Sequence, residues 1–544
     1  MSKAKKQNYL HGAAIMAGTT VIVKIVAFLY KIPLGDMRLL GDAGFTYFNV
    51  AYNIYGFFLT LATAGFPVAL SRMISVADAQ SRSAQVQRIF RVALGVLTGI
   101  GGAFTLVMLV FHRPLAVMMG SGRAALSIVT LAPAVVLVCA TSAYRGYCQG
   151  RGNMIPTAFG QVIEELGKLI VGLTLAWIIA RSGRGLEATA AGAIFGVTAG
   201  ALGALIYMSI YKSRNYPETT YGVADVPDSR RDIVREFLRI GIPIAIGASV
   251  LSLLNLLDNA LCLNRLKSAA HFPPEVADVL YGVYGKAQTL YNLPSYFITP
   301  LTLSVVPAIA TCITRRQRLE ASEIAESSLR IASVIAMPMG VGLFVLAEPV
   351  FRVIYWGSHS AGPQLLRLLG IAAFFVCMSM MGNAILQAAG QERLPIISIV
   401  LGGLAKICVN WILVGDPRVN IIGAPIGSIC GFGVICVADY WFLCQSLKKR
   451  PRLRRVLGAP LLSCAAMGVT AWSVYGLASR LVGRPGVPLE RMPMALAMAV
   501  AIAAAVLVYA VMIGLTGAVT LEDMALIPKG EKLGKLLRLR HAAR

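Results

Sequence analysis

The sequence predicts an all-α integral membrane protein with about fourteen transmembrane helices. Of the 544 residues, 57% are hydrophobic and only 14% are charged, whereas soluble domains carry about 25% charged residues. Apolar windows of about 20 residues, the length that crosses a bilayer as a helix, recur along the whole chain. The connections between these windows are too short to hold a soluble domain.

The predicted spans begin near the N-terminus and end at residue 516. Three lysines precede the first apolar run, as they would in a signal peptide. The run is too long for a signal peptide and contains Lys24, so we predict an uncleaved first helix. In chain order the spans are 10–32, 44–71, 86–111, 124–148, 156–180, 188–211, 234–262, 280–311, 328–354, 364–389, 394–414, 420–445, 457–479 and 492–516.

The net charge of +25 suggests a nucleic-acid partner at first sight, but its placement argues against one. With the first residue in the cytoplasm, most Lys and Arg residues fall in the cytoplasmic loops and the two termini. This is the positive-inside pattern of membrane proteins. We therefore predict a multi-pass protein of the cytoplasmic membrane, with both termini cytoplasmic and no nucleic-acid partner.

The last segment, 517–544, is basic, and its stretch from Lys529 onward is also amphipathic. It either lies on anionic membrane lipids or is an ordinary solvated terminus, and the sequence leaves both open. The ten cysteines fall within spans or at their ends and lack the spacing of a metal site. We expect no metal and no cofactor.

The chain repeats itself with an offset of about 239 residues. Tyr52-Asn53 in the first copy corresponds to Tyr291-Asn292 in the second, and Lys168 corresponds to Lys406. The repeat unit holds six spans, so both copies enter the membrane in the same orientation. Two parallel six-helix repeats predict two lobes related by an axis along the membrane normal, with a cleft between them, which is an arrangement of transporters.

The repeat predicts five segments along the chain. The N-lobe contains the first six spans, and a cytoplasmic linker joins it to a C-lobe of six more. Two helices outside the repeat and the basic tail complete the chain. The predicted boundaries are 1–211, 212–233, 234–445, 446–516 and 517–544.

Lysines interrupt several predicted spans, at a cost of roughly 2.5–3.5 kcal/mol for each ammonium group near the bilayer centre. Lys168 follows Glu164 by four residues and Glu165 by three, so both acids lie on adjoining helix positions. We predict a structural ion pair between Lys168 and Glu164. The other carboxylate then faces the cavity or a neighbouring helix.

Lys24 and Lys286 lie in the outer half of the membrane and in different lobes. Two cations at similar depth would make the cleft positive and suited to an anion. The alternative is snorkelling, in which the side chain lifts its charge to the interface. Lys406 either faces the cleft or pairs with Asp258 or Asp439, and Asp258 could instead coordinate a monovalent coupling cation.

Polar groups at two further levels are candidates for ligand contact. Arg72 and Arg145 lie near the inner ends of their spans, where each either receives a phosphate or anchors to lipid headgroups. The pairs Tyr52-Asn53 and Tyr291-Asn292 lie deeper than an interfacial aromatic belt. They either bind sugar hydroxyls or pack the lobes together.

Four stretches resemble motifs of one family. They are GFPVALSR at 65–72, YRGYCQG at 144–150, PTAFGQVIEE at 156–165 and YGKAQTLYNLP at 284–294. They resemble the stage V sporulation protein B and lipid II flippase-like polysaccharide transporters. These belong to the multidrug/oligosaccharidyl-lipid/polysaccharide (MOP) exporter superfamily. The resemblance covers essentially the whole chain and implies a two-lobed fold like that of the multidrug MATE transporters.

The resemblance implies a bacterial flippase rather than an enzyme. In that family a cationic cavity accepts a lipid-linked pyrophosphoryl saccharide, and the corresponding residues here are Lys24, Arg72 and Lys286. The implied partners are a lipid-linked oligosaccharide and cell-wall synthesis enzymes. An inside-negative potential favours outward movement of an anion by about 2.3 kcal/mol per charge per 100 mV, so the potential or a monovalent cation is the expected driving force.

Two other functions are alternatives to a flippase. A cation-coupled multidrug exporter of the same superfamily typically has twelve spans and an acidic residue in the first helix, where this chain has Lys24. A membrane glycosyltransferase or ligase would need clustered carboxylates or histidines on a substantial loop. The five histidines are scattered, and the predicted outer loops are short.

Overall fold

The computed structural model describes residues 3–216, 226–482 and 490–518. These ranges contain eighteen α-helices, a few short 3₁₀ or π segments and no strand. The α-helices are α1 Lys3–Leu34, α2 Gly41–Thr63, α3 Phe66–Ala79, α4 Ser83–Val110, α5 His112–Met118, α6 Ala125–Gly150, α7 Ile155–Arg181, α8 Leu186–Asn215, α9 Arg230–Ser268, α10 Pro274–Tyr291, α11 Leu293–Thr314, α12 Arg318–Val345, α13 Ala347–Ile354, α14 Gly362–Ala388, α15 Arg393–Leu413, α16 Gly423–Ser446, α17 Ala459–Val482 and α18 Arg491–Thr516.

The predicted class, an all-α membrane protein, is confirmed. In the described ranges, twelve helical segments are long and apolar enough to cross a membrane. The predicted count of fourteen is not confirmed. Helices α1 and α7 occupy the two remaining predicted positions, and α7 carries Glu164, Glu165 and Lys168 in its middle.

Three predicted spans are each built from two α-helices. The span predicted at 328–354 divides at Leu346 between α12 and α13, and the other two break before a proline. The span predicted at 44–71 breaks between α2 and α3, where Gly65 precedes a helix with proline in its first turn. The span predicted at 280–311 breaks between α10 and α11 at Asn292, again before a first-turn proline. Proline lacks an N–H and fits the first turn of a helix, so it begins a new helix more readily than it continues one.

The chain packs as two compact units. Unit 1 comprises Met1–Lys267 and Pro273–Gly282, and unit 2 comprises Ser268–Phe272 and Val283–Arg544. Packing therefore places α9 in unit 1, whereas the repeat counts the same helix with the second copy. The predicted lobe boundaries describe the repeat and stay a prediction.

The segment before α9 is tied to the start of α4 within unit 1. Arg82 contacts the Asp228 carboxylate at 3.1 Å, and the Gln85 side chain donates to the same carboxylate at 2.7 Å. The Asp232 backbone N–H donates to Ser229 Oγ at 3.2 Å, which is an N-cap for α9. Of the predicted linker, residues 217–225 lie outside the described residues.

Glycines bring helices together around the central lysine of each repeat copy. In unit 1, a Cβ on Gly196 would lie 2.5 Å from the Lys168 carbonyl oxygen, so α8 packs directly on the backbone of α7. In unit 2, a Cβ on Gly431 would lie 2.7 Å from Lys406 Cβ, so α16 packs on α15 in a similar way. Small residues permit such close packing between membrane helices.

Candidate functional site

Unit 1 holds a cluster of charges, half-buried around the buried Lys168. This residue lies 13 positions from either end of α7, or about 20 Å at 1.5 Å per residue, which is the middle of the helix. Its Nζ lies 2.6 Å from the Glu165 carboxylate, and the residue is 6% exposed. An ammonium group so deep requires a partner, and Glu165 supplies it.

The predicted pairing of Lys168 with Glu164 is therefore wrong. Glu164 instead accepts from Arg145 of α6 at 2.6 Å. Successive helical residues point about 100° apart, so Glu164 reaches α6 while Glu165 stays beside Lys168. Spacings of three and four are equally compatible with an ion pair, and only the position of Arg145 decides between them.

Arg145 was predicted to be a cavity cation that receives a phosphate. The structure places it half-buried in the ion pair with Glu164. To bind a phosphate at this position, Arg145 would have to share or release that carboxylate. Its predicted role in substrate binding stays a prediction.

Lys31 is the member of the cluster that the sequence reasoning missed. Its Nζ lies 5.4 Å from the centre of the Tyr52 ring. Lys168 Nζ lies 5.8 Å from the centre of that ring and 5.5 Å from the centre of the Tyr30 ring. Such distances allow cation–π attraction. Tyr52, predicted to bind sugar or to pack the lobes, thus lies within reach of two ammonium groups.

Lys31 is not a predicted site residue because it lies at the end of the first predicted span, where a lysine suggests an interfacial anchor. Helical side chains lean toward the N-terminus of their helix, so the ammonium group of Lys31 is directed back along α1. One signal was available: Lys24 and Lys31 are seven residues apart, or two helical turns, and lie on one face. Lys24 is half-buried on α1.

The cluster carries a surplus of positive charge. Three cations, Lys31, Lys168 and Arg145, accompany two acids, Glu164 and Glu165. The formal sum is +1. Charges in a low-dielectric interior are weakly screened, so this surplus favours an anion beside the cluster.

Unit 2 holds two of the predicted lysines. Lys286 is fully buried, and its Nζ lies 5.4 Å from the centre of the Tyr355 ring. Lys406 is half-buried. Lys406 and Tyr291 are the repeat equivalents of Lys168 and Tyr52.

The other predicted site residues are spread over both units. Asn53 and Asn292 are half-buried, and Arg72 is exposed. Asp258 is 1% exposed on α9 and belongs to unit 1, whereas Lys406, its predicted partner, belongs to unit 2. The roles predicted for these residues, and for Lys24 and Lys286, stay predictions. The described ranges contain no group of three His, Cys, Asp or Glu side chains placed to hold a metal ion.

A multi-pass helical fold of two compact units, with lysines held deep in each, is an architecture found in membrane transporters. The chain belongs to the family described as polysaccharide biosynthesis protein, whose model matches residues 9–313.

Curated relatives match most of the chain. It is 27% identical over 534 residues to the uncharacterized membrane protein YabM of Bacillus subtilis, covering 97% of this chain and 96% of that one. It is 24% identical to the stage V sporulation protein B of the same organism, covering 79% and 82%. It is also 24% identical to the lipid II flippase MurJ of that organism, covering 83% and 86%.

Solved structures share the fold. An inward-facing multidrug resistance MATE family transporter of the MOP superfamily aligns with a TM-score of 0.63 at 16% identity, covering 80% of this chain and 98% of that one. The lipid II flippase MurJ in an inward closed conformation aligns with a TM-score of 0.59 at 14% identity, covering 92% and 99%. At these identities the likeness concerns the fold alone.

Proposed function

We propose that this transporter flips an undecaprenyl-pyrophosphate-linked saccharide from the inner to the outer leaflet of the bacterial cytoplasmic membrane by alternating access. The cargo is a lipid II-like cell-wall precursor or a polysaccharide repeat unit. The relatives named as a stage V sporulation protein and a lipid II flippase support this class of cargo. Both termini face the cytoplasm, as the distribution of basic residues favours.

The positive surplus around Lys168 is the observation that supports an anionic cargo. A pyrophosphate carries negative charge through a layer where charged groups are costly. Lys31 adds a cation near the Lys168–Glu165 ion pair, across the Tyr52 ring, where attraction to an anion is strong. The lipid chain of the cargo stays in the bilayer, so the protein need stabilise only the head group.

The membrane potential is the proposed driving force, with a monovalent cation as the alternative. The inside-negative potential favours outward movement of each negative charge by about 2.3 kcal/mol per 100 mV. An imposed potential of this sign should therefore speed outward movement, and a reversed potential should slow it.

Reconstituted vesicles carrying labelled lipid II test the proposal. The purified protein should increase the fraction of label that a membrane-impermeant reagent reaches at the outer leaflet. Lys31→Gln should reduce this rate, whereas Arg181→Gln should not, since Arg181 is exposed and stacks on Trp177 at the end of α7. Exchange equal to that of protein-free vesicles would refute the proposal for this cargo.

The same vesicles separate the proposal from a multidrug exporter, the fold of which this chain shares. A cation-coupled exporter would move an organic cation in exchange for protons or sodium ions that run down an imposed gradient. It would leave lipid II in its original leaflet. Such a result would replace the flippase assignment.

A further inference from the structure

Unit 2 contains a cavity at one end of its helix bundle, apart from the charges described above. It lies where α11 passes into α12 and where α16 ends. Its volume is about 570 Å³, which falls in the usual range of small-molecule sites. Of its eight lining residues, three are cationic and none is acidic: the cations are Arg316, Arg318 and Lys448.

Two separate parts of the chain bring these cations together. Arg316 lies in the turn between α11 and α12 with a φ of 60°, a left-handed conformation that costs a non-glycine residue roughly 1–2 kcal/mol. Arg318 is the first residue of α12. Lys448 follows the end of α16. The turn that contains Arg316 is therefore locally strained.

The backbone at the start of α12 adds to the positive potential. Gln317, the N-cap residue, makes no capping hydrogen bond with its side chain. The first N–H groups of a helix lack partners within the helix and favour an anion. Gln317 also lines the cavity.

Acids of α12 near this end of unit 2 are engaged with the segment that follows Lys448. Glu323 contacts Lys449 Nζ at 3.5 Å. Glu326 accepts a hydrogen bond from the Arg452 backbone N–H at 3.1 Å. These contacts fasten the segment to α12 and hold Lys448 at the cavity. Glu320, in the first turn of α12, is exposed and does not line the cavity.

The position of the cavity favours a lipid over a free ion. Helices α11 and α16 belong to segments of membrane-spanning length and composition, so the cavity lies at the edge of the bilayer. Leu319, one of its lining residues, is 51% exposed. An exposed apolar side chain beside three cations suits a ligand that carries both a phosphate and hydrocarbon.

We propose that this cavity binds the phosphate of an anionic phospholipid headgroup, with Arg316, Arg318 and Lys448 as its ligands. Arginine and lysine are the usual side chains for phosphate, and arginine can bind it through two N–H groups. This site is separate from the buried charges of unit 1, and its test is independent of what the transporter carries.

Native mass spectrometry of the full-length protein with added phosphatidylglycerol tests the site. The triple variant Arg316→Gln, Arg318→Gln and Lys448→Gln should bind this lipid about tenfold more weakly, the equivalent of about 1.4 kcal/mol. The control variant, Arg450→Gln, Arg454→Gln and Arg455→Gln, removes the same charge from exposed residues outside the cavity. It should change the affinity less than about twofold, or roughly 0.4 kcal/mol.

Three results would overturn the inference. An equal loss in both triple variants would mean that general surface charge attracts the lipid. Full displacement of phosphatidylglycerol by inorganic phosphate at equal concentration would make free phosphate the ligand. If the cavity variant fails to purify as a single species, Lys448→Gln alone is measured, and unchanged lipid affinity in that variant refutes the site.

Discussion

The ion pair between Lys168 and Glu165 makes a sharp prediction about stability. The two charged groups lie 2.6 Å apart, and at an effective dielectric of 20 their attraction is about 6 kcal/mol. Much of this offsets the cost of removing both charges from water. Removal of one partner alone from a buried pair costs about 3–5 kcal/mol, because the other charge stays buried.

Glu165→Gln and Lys168→Gln should therefore each destabilise the protein strongly. The double variant, with two neutral and similarly shaped side chains, should be much closer to the parent protein, since replacing both members of a buried pair is often neutral. The excess of the two single losses over the double loss is the coupling energy of the pair.

Unfolding of the four proteins in one detergent, followed by tryptophan fluorescence against denaturant, measures this coupling. We expect at least about 2 kcal/mol, within the range found for residues in direct contact. The same cycle with Glu164 in place of Glu165 is the matched control and should give a clearly smaller coupling, because Glu164 contacts Arg145. A larger coupling with Glu164 than with Glu165 would refute this account of the cluster.

Three further predictions follow from the packing and the charges. Lys31→Gln should slow transport of an anionic lipid-linked cargo at least about tenfold, or 1.4 kcal/mol. It should change the free energy of unfolding little, since it leaves both ion pairs intact. Unaltered transport in the vesicle assay would remove Lys31 from the mechanism. Gly196→Leu should lower stability by about 1–3 kcal/mol or more, because a side chain there meets the Lys168 carbonyl. Gly99→Leu is the control in thermal unfolding, since the space that its Cβ would enter is open. Arg352→Ala should change stability by less than about 1 kcal/mol, because its ion pair with Glu348 is exposed. A larger loss in thermal unfolding would contradict this.

The sequence predicted the fold class because membrane insertion leaves a strong local signal. Long apolar windows and the placement of basic residues depend on residues near in sequence. The break at Gly65, before a proline, is likewise a local property. The assignment of α9 to unit 1 is not local, since it depends on which helices pack together.

The charged cluster shows the same limit at the level of single residues. The sequence placed Lys168 near two acids, and the prediction chose the wrong one, because Arg145 approaches Glu164 from another helix. Lys31 was missed for a related reason: its depth along α1 suggests the membrane surface, whereas its contact is the ring of Tyr52 on α2. Both errors concern contacts between helices, which residue spacing along one helix does not determine.

The arrangement of the cluster separates folding from transport. Lys168 and Arg145 each pair with a half-buried carboxylate that would otherwise lack compensation, so their loss affects stability first and transport only through it. Lys31 contacts an aromatic ring face instead, a weaker interaction of about 0.5–2 kcal/mol. Its removal costs little stability but eliminates the positive surplus. Lys31 is therefore the residue of this cluster at which a change in transport can be attributed to the anion rather than to the fold.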